Sequence, residues 1–316
     1  MRKNIDTRVR AAEALATRDD KLLAQHMRAC LADGLARLAA GTLPIRLPDT
    51  DGDWVARGEG HFHLAPELFL QIDGSTTFRF PHGELVLGPG EALVLPTRLL
   101  HAEHVAPAAD GGAFGNIVIY AEDGTLTCHL AHEREPGRPG ILYLEARQHP
   151  QAQSIQHWLA DAARLGSDRR GPEEEARATM QLRALLMAAA AGVLRALDDP
   201  AADERSEPAL IARVRVLIKN QLGDAELSVR RLAAQSGCTA DYLSHSFSQA
   251  VGERLAAHIN RLRMERAARL LGESDLAGKE VAWACGFASQ GYFIRTFRTH
   301  FGMTPNAWRE GRTAEA

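Results

Sequence analysis

Cysteine is scarce in this chain. Its four thiols, Cys30, Cys128, Cys238 and Cys285, lie far apart and form no CxxC-type pair. That spacing offers no metal or redox pair motif, and points to free thiols in a reducing cytoplasm. Long apolar runs are also missing. The longest, 185–194, is too short for a membrane span. Met1-Arg2-Lys3-Asn4-Ile5-Asp6 carries charge with no apolar stretch behind it, so no secretory signal is expected there. A cytoplasmic protein with no membrane partner is the expectation. The net charge of −3 is small and says little by itself.

What is present fits a globular protein. Hydrophobic residues make up 45% and charged residues 24% of 316 positions, long enough for two domains with separate cores. The charge is unevenly spread. Residues 209–316 hold 15 Lys and Arg against 10 Asp and Glu, a net +5 that leaves −8 on the remainder. A basic end on an acidic body fits a nucleic-acid-binding domain joined to a domain with another task.

The most informative stretch is 279–308. Residues 280–285 suit a short helix, Gly286 a turn, and Ser289 the N-cap of a second helix. Phe293, Phe297 and Phe301 recur every four residues as an inward stripe. Gln290, Gly291, Ile294, Arg295 and Arg298 occupy the opposite face, an amide and two guanidinium groups suited to a DNA major groove. By itself this is equally an αα-hairpin with solvated arginines. The pattern, however, occurs twice. Fifty positions earlier Leu243 stands for Phe293, Phe247 for Phe297, Gly252 for Gly302 and Thr239 for Ser289, with Gly237 marking a turn. Two such units in tandem are hard to explain as a packing accident. A single helix over 254–271, spanning roughly 27 Å, separates them, close to the spacing of successive major grooves.

These residues carry a resemblance. Leu227-Ser228-Val229, Tyr242-Leu243-Ser244, Arg261-Leu262-Arg263-Met264-Glu265-Arg266-Ala267, Gly286-Phe287-Ala288-Ser289-Gln290 and Phe301-Gly302-Met303-Thr304-Pro305, with Tyr292-Phe293, Arg295 and Phe297-Arg298, resemble the DNA-binding domain of the AraC/XylS family of bacterial transcription regulators. Gly278 replaces an aliphatic residue of that pattern, and His245 and Ser248 replace basic ones. The resemblance implies DNA-facing positions at Ala240, Asp241, Ser244 and His245 in the first unit and at Gln290, Gly291, Ile294 and Arg295 in the second. Arg295 would pair with a guanine, Gln290 with an adenine and Asp241 with a cytosine amine. Arg298, Arg261 and Arg266 would contact phosphates or form helix salt bridges. Promoter DNA, RNA polymerase, a small-molecule effector and a second copy of the chain are the implied partners, with activation the commoner mode.

Upstream, 5–40 has helical spacing in Ile5, Val9, Ala12, Leu22, Leu23, Met27, Leu31, Leu35 and Leu38, and ends at Gly41 and Pro44. From Trp54 to Tyr143 the period shifts toward two, with strand-like runs at 68–72, 77–80, 85–87, 92–95, 117–120 and 126–130. Many short strands between turns such as Asp123-Gly124 and His82-Gly83 predict a small barrel or double-sheet jelly roll. The spacing His61-x-His63-x3-Glu67-x6-Gly74, followed by Gly90-x5-Pro96 and His101, resembles the two cupin motifs, with Arg98 in place of a glycine and Val105 in place of an asparagine. His61, His63, Glu67 and His101 are therefore candidate ligands for one divalent transition metal. Alternatively the histidines line an effector pocket while Glu67 reaches a rim or pairs with Arg79 or Arg98. Residues 149–198 return to helix, with a stripe of Leu182, Leu185, Leu186, Ala189, Val193 and Leu197 that either covers the barrel or pairs two subunits. A polar linker comes next, over 198–208.

The expected architecture is α+β and multidomain. It comprises a helical extension (1–50), a cupin-like sensing barrel (51–148), a helical segment with linker (149–208) and an all-α tandem helix-turn-helix domain (209–316). The expected function is effector-controlled, sequence-specific DNA binding. The rival is a metal-dependent cupin dioxygenase or isomerase with a DNA-binding tail, which rests on the histidine set alone.

Overall fold

The computed structural model describes residues 2–49, 60–109, 111–166, 172–199 and 208–313. The linker at 200–207 and the side chains of Ile5, Val9 and Ala12 lie outside the described residues. A long helix α1 (Arg2–Ala40) opens the chain and Gly41, at φ +73°, ends it. Among the described residues nine strands come after it: β1 (Ile45–Arg46), β2 (Glu67–Asp73), β3 (Ser75–Phe80), β4 (Gly83–Leu87), β5 (Ala92–Leu95), β6 (Ala102–Ala106), β7 (Gly115–Glu122), β8 (Thr125–Glu135) and β9 (Arg138–Gln148). Six form one sheet in the order β1-β5-β2-β7-β8-β9, and three form a second, β4-β3-β6. Asp123 and Gly124, both at positive φ, make the tight β7–β8 turn.

The alternation of β2 decides which residues face what. Leu68 and Leu70 join a core with Met27, Leu31 and Leu38 of α1, whereas Phe69 joins Phe78, Leu87, Leu93, Leu95 and Val118 between the two sheets. Two helices, α2 (Gln151–Arg164) and α3 (Pro172–Asp198), complete the outer layer. Leu182, Leu186, Ala189, Val193 and Leu197 of α3 are buried in that layer with Ile155 and Leu159 of α2. The stripe therefore covers the sheet, the first of its two expected roles. The stretch Glu173–Asp198 also has the length and apolar composition of a membrane span, contrary to expectation; much of its apolar side packs inside the protein.

The C-terminal part is all helical: α4 (Ala209–Gln221), α5 (Val229–Gln235), α6 (Ala240–Val251), α7 (Leu255–Glu273), α8 (Gly278–Ala284), α9 (Gln290–Phe301) and α10 (Pro305–Thr313). Two cores divide it, one around Leu232, Leu243 and Phe247, the other around Val281, Phe293 and Phe297. Helix α4 belongs to both halves of the molecule. Ile211, Val214 and Ile218 enter the first helical core, while Val216 is buried among the aromatic residues between the sheets.

Candidate nucleic-acid interface and histidine-lined cavity

The two helix-turn-helix units repeat in atomic detail. Thr239 Oγ1 accepts the Tyr242 amide at 3.2 Å, and Ser289 Oγ accepts the Tyr292 amide at 3.5 Å. Gly252 and Gly302 close α6 and α9 in the left-handed conformation, at φ +76° and +77°. Phe247 and Phe297 are both fully buried, and each meets a ring eleven residues on, His258 or Trp308, edge to face. Gly286 has no substitute, because a Cβ there would lie 2.6 Å from the Leu222 carbonyl oxygen.

Opposite these buried faces, Asp241, Ser244 and His245 on α6 and Gln290, Gly291, Arg295 and Arg298 on α9 are exposed, with Ile294 at 36% exposure. Ala240 is half-buried, and the Ser244 hydroxyl donates to the Ala240 carbonyl at 2.7 Å. Arg261 forms helix salt bridges, to Glu265 at 2.8 Å and Glu253 at 3.3 Å. Arg266 does neither thing expected of it. It is buried, donates to the Phe62 carbonyl at 2.9 Å and lies 3.7 Å over the Phe62 ring, where desolvation lowers its pKa to about 10.

A cavity of about 1220 Å³ separates the inner face of the large sheet from the helical half; His61, His63, Glu67, Phe69, His129 and His132 line one side and Arg213, Leu217, Asn220 and Trp283 the other. The two lining residues His61 and His63 meet His101, and the nitrogen donors of the three all lie within 4.8 Å of one another. The local backbone explains the grouping. His61 and His101 form an antiparallel bridge with reciprocal hydrogen bonds of 2.8 and 2.9 Å, and His63 stands two residues along. Gly60, at φ +100°, permits this approach, since a Cβ would lie 1.9 Å from the His101 carbonyl oxygen.

Burial holds all three imidazoles in the neutral form, with His101 lowered to about 4 and His61 and His63 well below the usual histidine value. His101 Nδ1 donates to the Leu99 carbonyl at 2.9 Å, which leaves its buried Nε2 as an unpartnered acceptor; His63 Nδ1 is buried and unpartnered too. Neutral nitrogens, one fixed from behind by a carbonyl, are the donor set a divalent transition ion takes.

Glu67 stands beside this group, its Oε2 3.4 Å from His63 Nε2 and its Oε1 4.0 Å from Lys219 Nζ of α4. Burial raises its pKa to about 7, against the opposing pull of Lys219. The expected alternatives for Glu67, an exposed rim or a pairing with Arg79 or Arg98, are not what the structure places there. Arg98 instead pairs with Glu273 of α7. Lys219, 3.3 Å over the Tyr120 ring and 3.7 Å from Glu122, escaped the sequence reading. His129, buried and lowered to about 4 by desolvation and by Lys219, escaped it as well. The place of Lys219 depends on α4 docking across the sheet, which no local pattern encodes, while His129 stands on β8. Phe62 carried a signal, an apolar residue alternating with two histidines.

Among known proteins, a helix-turn-helix domain family matches residues 232–311. The uncharacterized HTH-type transcriptional regulator YijO of Escherichia coli is 35% identical over 101 residues, 32% of this chain and 35% of that protein. The transcriptional activator NphR of a Rhodococcus species is 28% identical over 261 residues, 80% of this chain and 70% of NphR. The probable transcription factor PqrA of Proteus vulgaris is 32% identical over 87 residues, 28% of this chain and 71% of PqrA. The match thus spans about a third of YijO and just over two thirds of the other two.

Proposed function

This chain belongs to the AraC/XylS family of transcription regulators, and from that premise we propose that it is a one-component regulator whose sheet-rich half senses a small molecule. The observation that carries the reading is the pair of reading faces, one per helix-turn-helix unit, exposed at matching offsets from matching caps. Arg295 reads a guanine, Gln290 an adenine and Asp241 a cytosine, with Ala240, Ser244, His245, Gly291 and Ile294 completing the two contacts and Arg298 gripping a phosphate. The chain acts in the cytoplasm as a homodimer, activates transcription by contacting RNA polymerase, and performs no catalysis of its own. Relatives that are themselves transcription regulators support this over a dioxygenase or isomerase.

The sensing half is a cupin-like double sheet, and its effector enters the cavity above the histidines. His61, His63 and His101, with Glu67 beside them, would hold one divalent transition ion, which supplies open coordination positions for an effector carboxylate or hydroxyl. The unpartnered nitrogens of His63 and His101 support that fit, since buried orphan acceptors are costly without an occupant.

Footprinting on the DNA next to the gene, with and without candidate metabolites, tests the regulator. Protection that is sequence-specific and shifts with one metabolite is expected; equal protection of random DNA overturns it. Metal analysis of protein purified without an affinity tag tests the ion. About one equivalent is expected, lost when His61→Ala and His101→Ala are combined. Protein that is metal-free and whose Tm ignores added Zn, Mn, Fe and Ni leaves these residues as pocket lining.

A further inference from the structure

The segments that carry the histidines have two faces. His61 and His63 line the cavity and cluster with His101, while Phe62 and Leu100, 3% and 5% exposed, reach the cavity wall and pack into the core that holds Phe293 and Phe297. That core is otherwise built by the second helix-turn-helix unit, and Phe293 and Phe297 lie on the back of the helix that presents Gln290 and Arg295. Among the described residues, the core of the first unit contains none from either histidine segment. Arg266 fastens the arrangement, gripping Phe62 through both its carbonyl oxygen and its ring.

We propose that these two segments transmit occupation of the histidine cluster selectively to the second helix-turn-helix unit, with Phe62 as the moving contact. The proposal rests on the reading that the cluster takes a ligand, and it concerns the effect of that ligand on the DNA-reading half. The donor nitrogens now lie within 4.8 Å of one another. Around a tetrahedral ion with bonds of about 2.0–2.1 Å they would stand about 3.4 Å apart. Closing the cluster draws the His61 and His101 backbones along, because each is hydrogen-bonded to the other. Phe62 is the next residue after His61 and Leu100 the one before His101, so both side chains shift within a packed core that cannot yield smoothly. The reading helix α9 is repositioned or stiffened, and α6 is left as it was. A regulator built this way changes its grip on one half of an asymmetric site and keeps hold of the other half throughout.

Hydrogen exchange on the full chain, with and without zinc, tests this, with bound zinc counted separately by equilibrium dialysis. In the unmodified protein zinc should slow exchange across α8 and α9 about tenfold and change α6 by less than about twofold. Phe62→Ala should bind the same zinc and lose the response at α9; Phe62→Leu, which keeps the core filled, should retain part of it and serves if the alanine variant does not fold. The proposal is overturned if zinc binds and α9 is unmoved, if α6 and α9 respond alike, or if Phe62→Ala and Phe62→Leu both respond as the unmodified protein does. Should no zinc bind, the metal reading fails separately. The coupling is then judged without metal from His101→Gln, which must alter α9 exchange about threefold or more and lose that effect when combined with Phe62→Leu; no change at α9 overturns it.

Discussion

Arg98 adopts a left-handed backbone, φ +68°, and its guanidinium pairs with Glu273 at the end of α7. The position is one where the cupin pattern has glycine, so the sequence departure and the backbone strain are the same fact seen twice. A non-glycine residue held in this region costs on the order of 1 kcal/mol. Here the side chain gives something back, since a glycine could not reach across to the helical half. Arg98, Arg266 and Lys219 all join the sheet-bearing half to α4 or α7.

The two contributions of Arg98 separate in a pair of variants. Arg98→Ala keeps the strained backbone and loses the pairing, whereas Arg98→Gly loses the pairing and relaxes the backbone. Arg98→Gly should therefore be the more stable of the two by about 1 kcal/mol in urea titrations. Glu273→Gln, which removes a partly exposed ion pair, should cost less than about 1 kcal/mol. An Arg98→Ala variant as stable as Arg98→Gly would show that the left-handed conformation is not maintained in solution.

Leu186 and Val193 are fully buried against the sheet and α2, so changing them tests folding rather than association. Leu186→Ala should destabilise the sheet-bearing half by about 2–5 kcal/mol, through lost transfer energy and the cavity left behind. Sedimentation at concentrations where the variant is still folded should show the same oligomeric state as the unmodified protein. A shift to a slower-sedimenting species with unchanged unfolding energy would return the stripe to the subunit interface.

The helical half was legible in the sequence because its signals are local. A cap, a turn glycine and a four-residue aromatic period each occupy one helix, and Thr239 with Ser289 and Gly252 with Gly302 repeat them. The strands β6 and β9 were not legible. The stretch Ala102–Ala106 is short and polar, and Arg138–Gln148 begins with Pro139 and Gly140, tolerated because β9 lies at the sheet edge. The histidine grouping was half legible: H-x-H places two rings on one face of any extended segment, but the contact with His101 depends on Gly60 and on long-range pairing. Arg266 sits in a family motif as an unremarkable basic residue, and only the docking of α7 on Phe62 gives it its role.

His129 gives a pH signature in the sheet-bearing half. Its folded pKa of about 4 lies below the ordinary histidine value of 6.5, so between those values the unfolded chain holds a proton that the folded one lacks. Stability from this group is fully present above pH 6.5 and is lost as pH falls toward 4, by up to an amount on the order of 3 kcal/mol. His129→Gln should flatten the decline of urea midpoints between pH 6.5 and 4.5. An unchanged slope would mean that water reaches the ring and that it titrates normally.

Arg295 and Arg298 stand three residues apart on α9, both exposed, yet they are expected to fail differently. Arg295 is exposed on the same helix as Gln290, and the bidentate guanine contact proposed for it is sequence-dependent by construction. Arg295→Ala should lose about 1–3 kcal/mol on the specific site and relax preference at one base pair, with little change on random DNA. Arg298, one turn nearer the C-terminal end and exposed, is the proposed phosphate contact. Arg298→Ala should weaken specific and random DNA together and lower the slope of log K against log salt by about 0.9. The comparison is made by anisotropy titration of the full-length protein at several salt concentrations, on a footprinted site and on a scrambled one. An Arg295→Ala loss that is equal on both DNAs, with a reduced salt slope, would make it a second phosphate contact. Base readout in that unit would then fall to Gln290, whose amide heads the same helix.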